Sequence, residues 1–334
     1  MAAKMTQARG LLYTVKPMNF QFCRLFCLAL SLLAAACGSS GWNNPYPAAD
    51  SGKNIFYSAF TERPKHLDPV QSYSENEAVF NAQIYEPPLQ YHYLKRPYTL
   101  VPLSAAEMPR VQYYDKTGRK LSDDADPKRI AYSVYQIRIK PGIHYQPHPA
   151  FARDKNGKFL YQDLKREDLK DIYTLSDFKE QGTRELNAKD YVYQIKRLAH
   201  PRLHSPIFGL MSEYIIGLKQ YADALKRADQ TLLAKEGKDA WLDLTRYSLE
   251  GVEATGRYTY QVKVKGKYPQ FVYWLAMSFF APVPAEVDRF YSQPGMAEKN
   301  LTLDWYPVGT GPYMLTENNP NSRMVLEFNP NFHG

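Results

Sequence analysis

Two pairs of histidines stand at a spacing that can grip a metal ion: His144 with His148, and His200 with His204. An H-x3-H pair on a helix stacks two imidazoles on one face, and a third ligand then completes a zinc site. Both pairs sit among prolines, in HYQPHPAF and HPRLHSP, so a rigid helical grip is not expected, and no third ligand lies nearby. Residues 308–313, VGTGPY, contain a G-x-G. The third glycine of a dinucleotide loop is missing, and the stretch reads first as a tight turn. The carboxylate pairs Asp123/Asp124 and Glu167/Asp168 could share acid–base work, but they lie in charged stretches and read as solvated. The aromatic run FVYWLAMSFF (271–280) reads as core before it reads as a ligand platform. Walker, HExxH and GxSxG motifs are missing from the sequence. The expectation is therefore no enzyme, no cofactor and no metal.

The three cysteines, Cys23, Cys27 and Cys37, all fall in the first 37 residues. Lys4, Arg9, Lys16 and Arg24 precede or open an apolar run, LFCLALSLLAAA, with no acidic residue among them. Twelve residues of helix cover about 18 Å, short of the roughly 30 Å of a bilayer's hydrocarbon core, so a signal segment over 1–36 fits better than a membrane span. Met18 offers a more conventional start than Met1. LLAAACGSSG resembles the bacterial lipobox, in which the Cys37 thiol takes a diacylglyceryl group and becomes the mature N-terminus. Ala34 stands where leucine is usual, and the alternative is a plain secretory signal cleaved near Ala36. With Cys37 acylated, the exported body has no thiol left for disulfide, metal or nucleophile. Lipidation at Cys37 would tie the protein to the periplasmic face of a bacterial membrane. Gly38, where no aspartate stands, favours the outer membrane in a Gram-negative cell, and residues 37–53 would be the tether. Beyond the signal, 38 basic residues face 34 acidic ones, a net charge of +4 too mild and too scattered to suggest nucleic acid.

These residues need elements to position them. NIFYSAF (54–60) reads as a buried strand. In 74–88, Ser74 and Glu77 make a capping box, and Val79, Phe80 and Ile84 fall at helical spacing. YSVYQIRIKPG alternates Tyr135, Ile137 and Ile139 against Gln136, Arg138 and Lys140, which predicts a strand. Residues 151–186 are densely charged and read as a surface insertion. In 186–201, Asn187 caps a helix with Val192, Ile195 and Leu198 on one stripe, and Pro201 ends it. Two helices are expected within 209–236, a strand in RYTYQVKVKG, a buried helix over 271–279 and a new helix after its prolines. Helices and strands mix without a strict βαβ rhythm, so the expectation is an α/β domain with a mixed sheet.

Four segments in order carry a resemblance. HLDPVQSYSENEAVFNAQIYEPPLQY resembles a Leu-Asp-Pro opening that runs through a helix into Tyr-Glu-Pro-Leu. VYQIRIKPGIHYQ, LNAKDYVYQIKRLAHP and PVGTGPYMLTENNPNSRMVLEFNPNFHG follow it. Together they are similar to the extracellular solute-binding proteins for dipeptides, oligopeptides and nickel, the capture subunits of ATP-driven importers. Pro88, the Asn187-Ala188-Lys189 stretch and Phe332-His333 depart from the family pattern. The resemblance implies a periplasmic-binding-protein-like (class II) lobe over 54–334. It also implies an oligopeptide or related small ligand, importer permease subunits as partners, and a lipid-anchored membrane attachment. In such proteins the chain crosses a hinge after Asn-Pro-Asn into a second lobe and returns. The resemblance therefore implies an N-terminal lobe alone, lacking the second lobe and the returning segment, with impaired binding. By motif, the ligand-facing residues would be Tyr73 and Ser74 after Leu-Asp-Pro, and Gly309, Thr310 and Gly311 near the hinge, each of which could equally be a turn former. Rival expectations on the same scaffold are a binder of peptidoglycan fragments or nickel chelates. A further rival is a lipid-anchored interaction or structural protein docking through 151–186.

Overall fold

The computed structural model describes residues 47–50 and 52–334. The signal segment 1–36, the lipidation point Cys37 and most of the tether lie outside the described residues. Contacts divide the chain into two units, residues 1–59 and residues 60–334. In the first, a 3-10 turn at Ala48–Asp50 is closed by Lys53 Nζ on Asp50 Oδ1 at 2.8 Å. NIFYSAF is not the buried strand its composition suggested. Residues 54–60 pair with no described strand, and Phe56 is 92% exposed. β-propensity is a preference for a pleated surface that already has neighbours, and without a partner edge it decides nothing.

In chain order the second unit contains α1 (Glu75–Ile84), a short hairpin of β1 (Leu89–Tyr91) and β2 (Leu100–Pro102), then β3 (Arg110–Tyr114), β4 (Lys120–Leu121) and β5 (Tyr132–Arg138). After them come α2 (Ala188–Arg197), α3 (Phe208–Tyr214), α4 (Leu218–Glu236), β6 (Val252–Gly256) and β7 (Thr259–Lys265). The unit continues through α5 (Phe271–Trp274), α6 (Ala285–Tyr291) and a hairpin of β8 (Tyr313–Asn319) and β9 (Arg323–Phe328).

The main sheet has the order β4-β3-β5-β7-β6. Alternation builds its centre. Tyr135 and Ile137 of β5 face Val262 and Tyr260 of β7 in register, all four buried, while Gln136 and Arg138 turn outward. The α/β class holds, but the named strands pair antiparallel throughout, where a mixed sheet was expected. Helices α2, α3 and α4 follow one another in a block, so no helix crosses between successive parallel strands. Helix α2 covers the buried face: Asn187 accepts the Lys189 N–H at 2.9 Å, and the Tyr191 ring stacks on Tyr260 with centroids 5.2 Å apart.

Three further expectations change in the packing. In α1 the buried side is Glu77, Asn81 and Ile84, and Val79 points outward at 62% exposure. The helix expected over 271–279 ends at Trp274 and resumes as a 3-10 turn at Ser278–Phe280, with Phe271, Phe279 and Phe280 buried but Tyr273 and Met277 exposed. The charged stretch 151–186 is a string of 3-10 turns whose Phe151, Leu169, Phe178 and Leu186 are buried in the core.

Candidate functional site

The Leu-Asp-Pro segment is held from three sides. Asp68 receives both terminal nitrogens of Arg197, at 2.8 and 2.7 Å, in a fork that is buried on both partners. Arg197 Nε reaches Asp288 at 3.3 Å, and Asp288 also accepts the Tyr193 hydroxyl at 2.7 Å and the Trp241 indole N–H at 3.0 Å. Burial alone would lower the affinity of the guanidinium for its proton, but Asp68 and Asp288 outweigh it and keep Arg197 charged. Asp304 Oδ1 accepts the Leu67 and Asp68 N–H groups at 3.0 and 2.9 Å.

Glu77 closes the loop from inside. One carboxylate oxygen accepts the N–H groups of Lys65 and His66, at 3.1 and 2.9 Å; the other accepts those of Tyr73 and Ser74, at 2.9 and 3.1 Å. Burial pushes this carboxyl up, and the backbone N–H groups of Ser74, His66 and Tyr73 outweigh it, so it sits below its ordinary value. The capping box read from Ser74 and Glu77 is present, and the same carboxylate also anchors residues 65 and 66. This mounting leaves Tyr73 standing out, 72% exposed, its ring 6.1 Å from that of Phe279.

Gly309, Thr310 and Gly311 lie at the other end of α1. Ten helical residues separate them from Ser74, about 15 Å. Gly309 exchanges hydrogen bonds with Gln146: its N–H donates to Oε1 at 3.1 Å and its carbonyl accepts the Gln146 N–H at 3.0 Å. Gly311 donates to the Ile84 carbonyl at 2.8 Å. A Cβ on Gly309 would collide with the Ile84 carbonyl, and one on Gly311 would come within 2.6 Å of the Gln83 oxygen. Glycine is required here because the loop's backbone lies directly on the end of the helix. Thr310 is fully buried. These polar backbone groups are engaged inside the fold, whereas Tyr73 and Ser74 face outward.

The last motif docks back onto the same region. Asn329 donates from Nδ2 to the Gly311 carbonyl at 2.9 Å, and Asn331 donates to the Tyr145 carbonyl at 2.8 Å. His333 Nε2 lies 3.0 and 3.1 Å from the two carboxylate oxygens of Glu86, in the Tyr-Glu-Pro segment. Burial raises the Glu86 carboxyl above its ordinary value despite the nearby His333.

The histidine pairs have other duties. His148 Nδ1 accepts the Ala150 N–H at 3.1 Å, so the ring proton sits on Nε2, which donates to the Tyr291 hydroxyl at 2.8 Å; that hydroxyl donates onward to the Tyr306 carbonyl. Both nitrogens are committed, and burial pushes the His148 pKa down to about 3. His200 Nδ1 accepts the Arg202 N–H at 3.1 Å. Among the described residues no group of three or more His, Cys, Asp or Glu side chains is placed to hold a metal ion.

Comparison with known proteins bears on the same segments. Residues 180–334 match the family described as Bacterial extracellular solute-binding proteins, family 5 Middle. That match covers 155 of the chain's 334 residues. No curated protein matches the sequence. Among solved structures, the chain is similar to the murein tripeptide binding protein MppA of Escherichia coli, at 17% identity and a TM-score of 0.47, covering 82% of this chain and 38% of that one. It is similar also to a periplasmic oligopeptide-binding protein of Borrelia burgdorferi, at 17% identity and a TM-score of 0.49, covering 81% and 38%. OppA of Burkholderia pseudomallei matches at 17% identity and a TM-score of 0.46, covering 81% and 37%. The chain thus spans under two fifths of the length of these solved proteins.

The motifs are legible in the sequence and their partners are not. Arg197, Asp304 and His333 carry the loop and its neighbours, yet each lies more than 100 residues from the group it holds. A charged residue on the apolar side of a strongly amphipathic helix is the one signal that could have exposed Arg197: it follows Tyr193 and Gln194, both buried.

Proposed function

We propose that this protein is the peptide-capturing component of an ATP-driven importer, exported and tied to a membrane through acylated Cys37. It captures its ligand without covalent chemistry. The match of residues 180–334 to an extracellular solute-binding family supports capture of a small solute outside the cytoplasm. The carrying observation is Tyr73, an exposed aromatic held on a loop that is immobilised by Glu77, Asp304 and the Asp68–Arg197 fork. An enzyme-free binding site needs such preorganisation, because each rotamer frozen on binding subtracts from affinity. A ring with a hydroxyl suits peptides, offering apolar contact to side chains and one hydrogen bond to a backbone. The four motif segments meet around α1, which gives the ligand one wall of a cleft.

A peptide lying on an open wall keeps its other side in water, so binding to this chain by itself is weak. Saturation-transfer NMR with a pool of di- to pentapeptides is expected to show half-saturation on the order of 1 mM. Tyr73→Ala should weaken binding about fivefold, the worth of one aromatic contact. Equal transfer to free amino acids, or none to peptides, removes the reading.

A further inference from the structure

The tip of the β1–β2 hairpin is built to stay out in water and has no task in the peptide reading. Residues 93–99, YLKRPYT, are exposed without exception. Tyr93 is 88%, Leu94 77% and Tyr98 68% exposed. The tip is nonetheless ordered by its own groups. His92 Nδ1 accepts the N–H groups of Leu94 and Lys95, at 3.2 and 3.3 Å. Arg96 donates to the carbonyls of Tyr93 and Lys95, at 3.4 and 2.9 Å, and its guanidinium carbon lies 4.5 Å from the centre of the Tyr98 ring. Tyr98 meets Tyr91 edge-on at 6.0 Å, and Tyr91 stacks on the exposed Tyr273 of α5 at 6.5 Å. Tyr98, Tyr91 and Tyr273 thus form an aromatic ridge, beside a summit of exposed Tyr93 and Leu94.

Charge decides what the ridge fits. From residue 87 to residue 106 the sequence contains no Asp or Glu, while Lys95 and Arg96 sit beside the summit. Glu86, at one border, is buried against His333. We propose that this tip docks on an anionic phospholipid surface. Tyrosine and leucine side chains partition into the headgroup and acyl boundary, and lysine and arginine reach back to lipid phosphates. A protein partner is less suited: a stable interface covers about 800 Å² on each side, and a tip of seven residues cannot supply it. The proposal does not depend on peptide capture, since vesicle binding is read with no peptide present.

The test uses the full chain carrying Cys37→Ser, so that no acyl group contributes, co-sedimented with vesicles of phosphatidylglycerol and phosphatidylethanolamine or of phosphatidylcholine alone. Whatever the rest of the chain adds is common to parent and variants. Tyr93→Ser combined with Leu94→Ser should lower partition onto the anionic vesicles about tenfold. Lys95→Gln should lower it about fivefold and weaken its dependence on salt. These side chains are exposed, and unchanged circular dichroism checks that the variants keep the parent fold. Variants that sediment like the parent, or a parent that binds neutral and anionic vesicles alike, would overturn the proposal. So would variants that keep vesicle binding and lose a permease partner instead.

Discussion

Two exposed tyrosines, Tyr73 and Tyr93, are held in opposite ways. Tyr73 rides on a loop fixed by charged groups, Glu77 from inside and Arg197 and Asp304 from far along the chain. Tyr93 rides on a tip whose order comes from its own neighbours, His92 and Arg96. The first arrangement sets an aromatic ring at a fixed place relative to the whole lobe, as recognition of one ligand shape requires. The second leaves a small ordered cap that can be altered without consequence for the rest of the protein. A buried polar network is costly to break because each broken member strands a charge, whereas an exposed tip strands nothing.

The comparison can be broken most directly at Asp68. Asp68→Ala leaves Arg197 buried without its forked partner and should cost about 3–5 kcal/mol in urea denaturation. A loss below about 1 kcal/mol would show that the loop is held by something else.

Glu77→Gln is the next largest effect, about 2 kcal/mol at pH 7, because one amide oxygen cannot serve four backbone N–H groups. Its sign with pH is set by the lowered carboxyl. Glu77 has a lower pKa in the folded protein than the ordinary 4.5, so its stabilisation is complete above that value and disappears as the pH falls through the folded one. Parent and variant should therefore converge in acid denaturation below about pH 4.5, and a constant gap would remove the carboxylate from the account. The smallest effect belongs to the tip: Tyr93→Ser should shift stability by no more than about 0.5 kcal/mol in the same denaturation series. A larger loss would mean that the tip is part of the fold and not a cap.

The legibility of the sequence follows the same division. Local chemistry could be read: the Ser74–Glu77 capping box, the Asn187 cap and the alternation of Tyr135, Ile137, Tyr260 and Val262 all appear where their spacing puts them. Non-local demands could not. Val79 looks like a core residue by spacing, but the buried side of α1 is taken by Glu77, which the loop's backbone donors claim, together with Asn81 and Ile84. NIFYSAF is rich in Ile, Phe and Tyr, as strands are, but no described strand lies beside it. At the site, sequence offered Gly309 and Gly311 as ligand-facing residues or turn formers, and their backbone contacts lie with Ile84, Gln146 and Asn329.

The partners of the Leu-Asp-Pro loop come late in the chain. Asp304 lies 236 residues beyond Asp68, and the contact between Glu86 and His333 spans 247. A ribosome adds about 5–20 residues per second, so this early loop waits many seconds for its fixing groups to be made. Until Arg197 is made, Asp68 has no forked partner, and until Asp304 is made the Leu67 and Asp68 N–H groups lack their acceptor. A loop whose fixing groups lie so far downstream stays loose while they are being made, a state that even a narrow channel can thread.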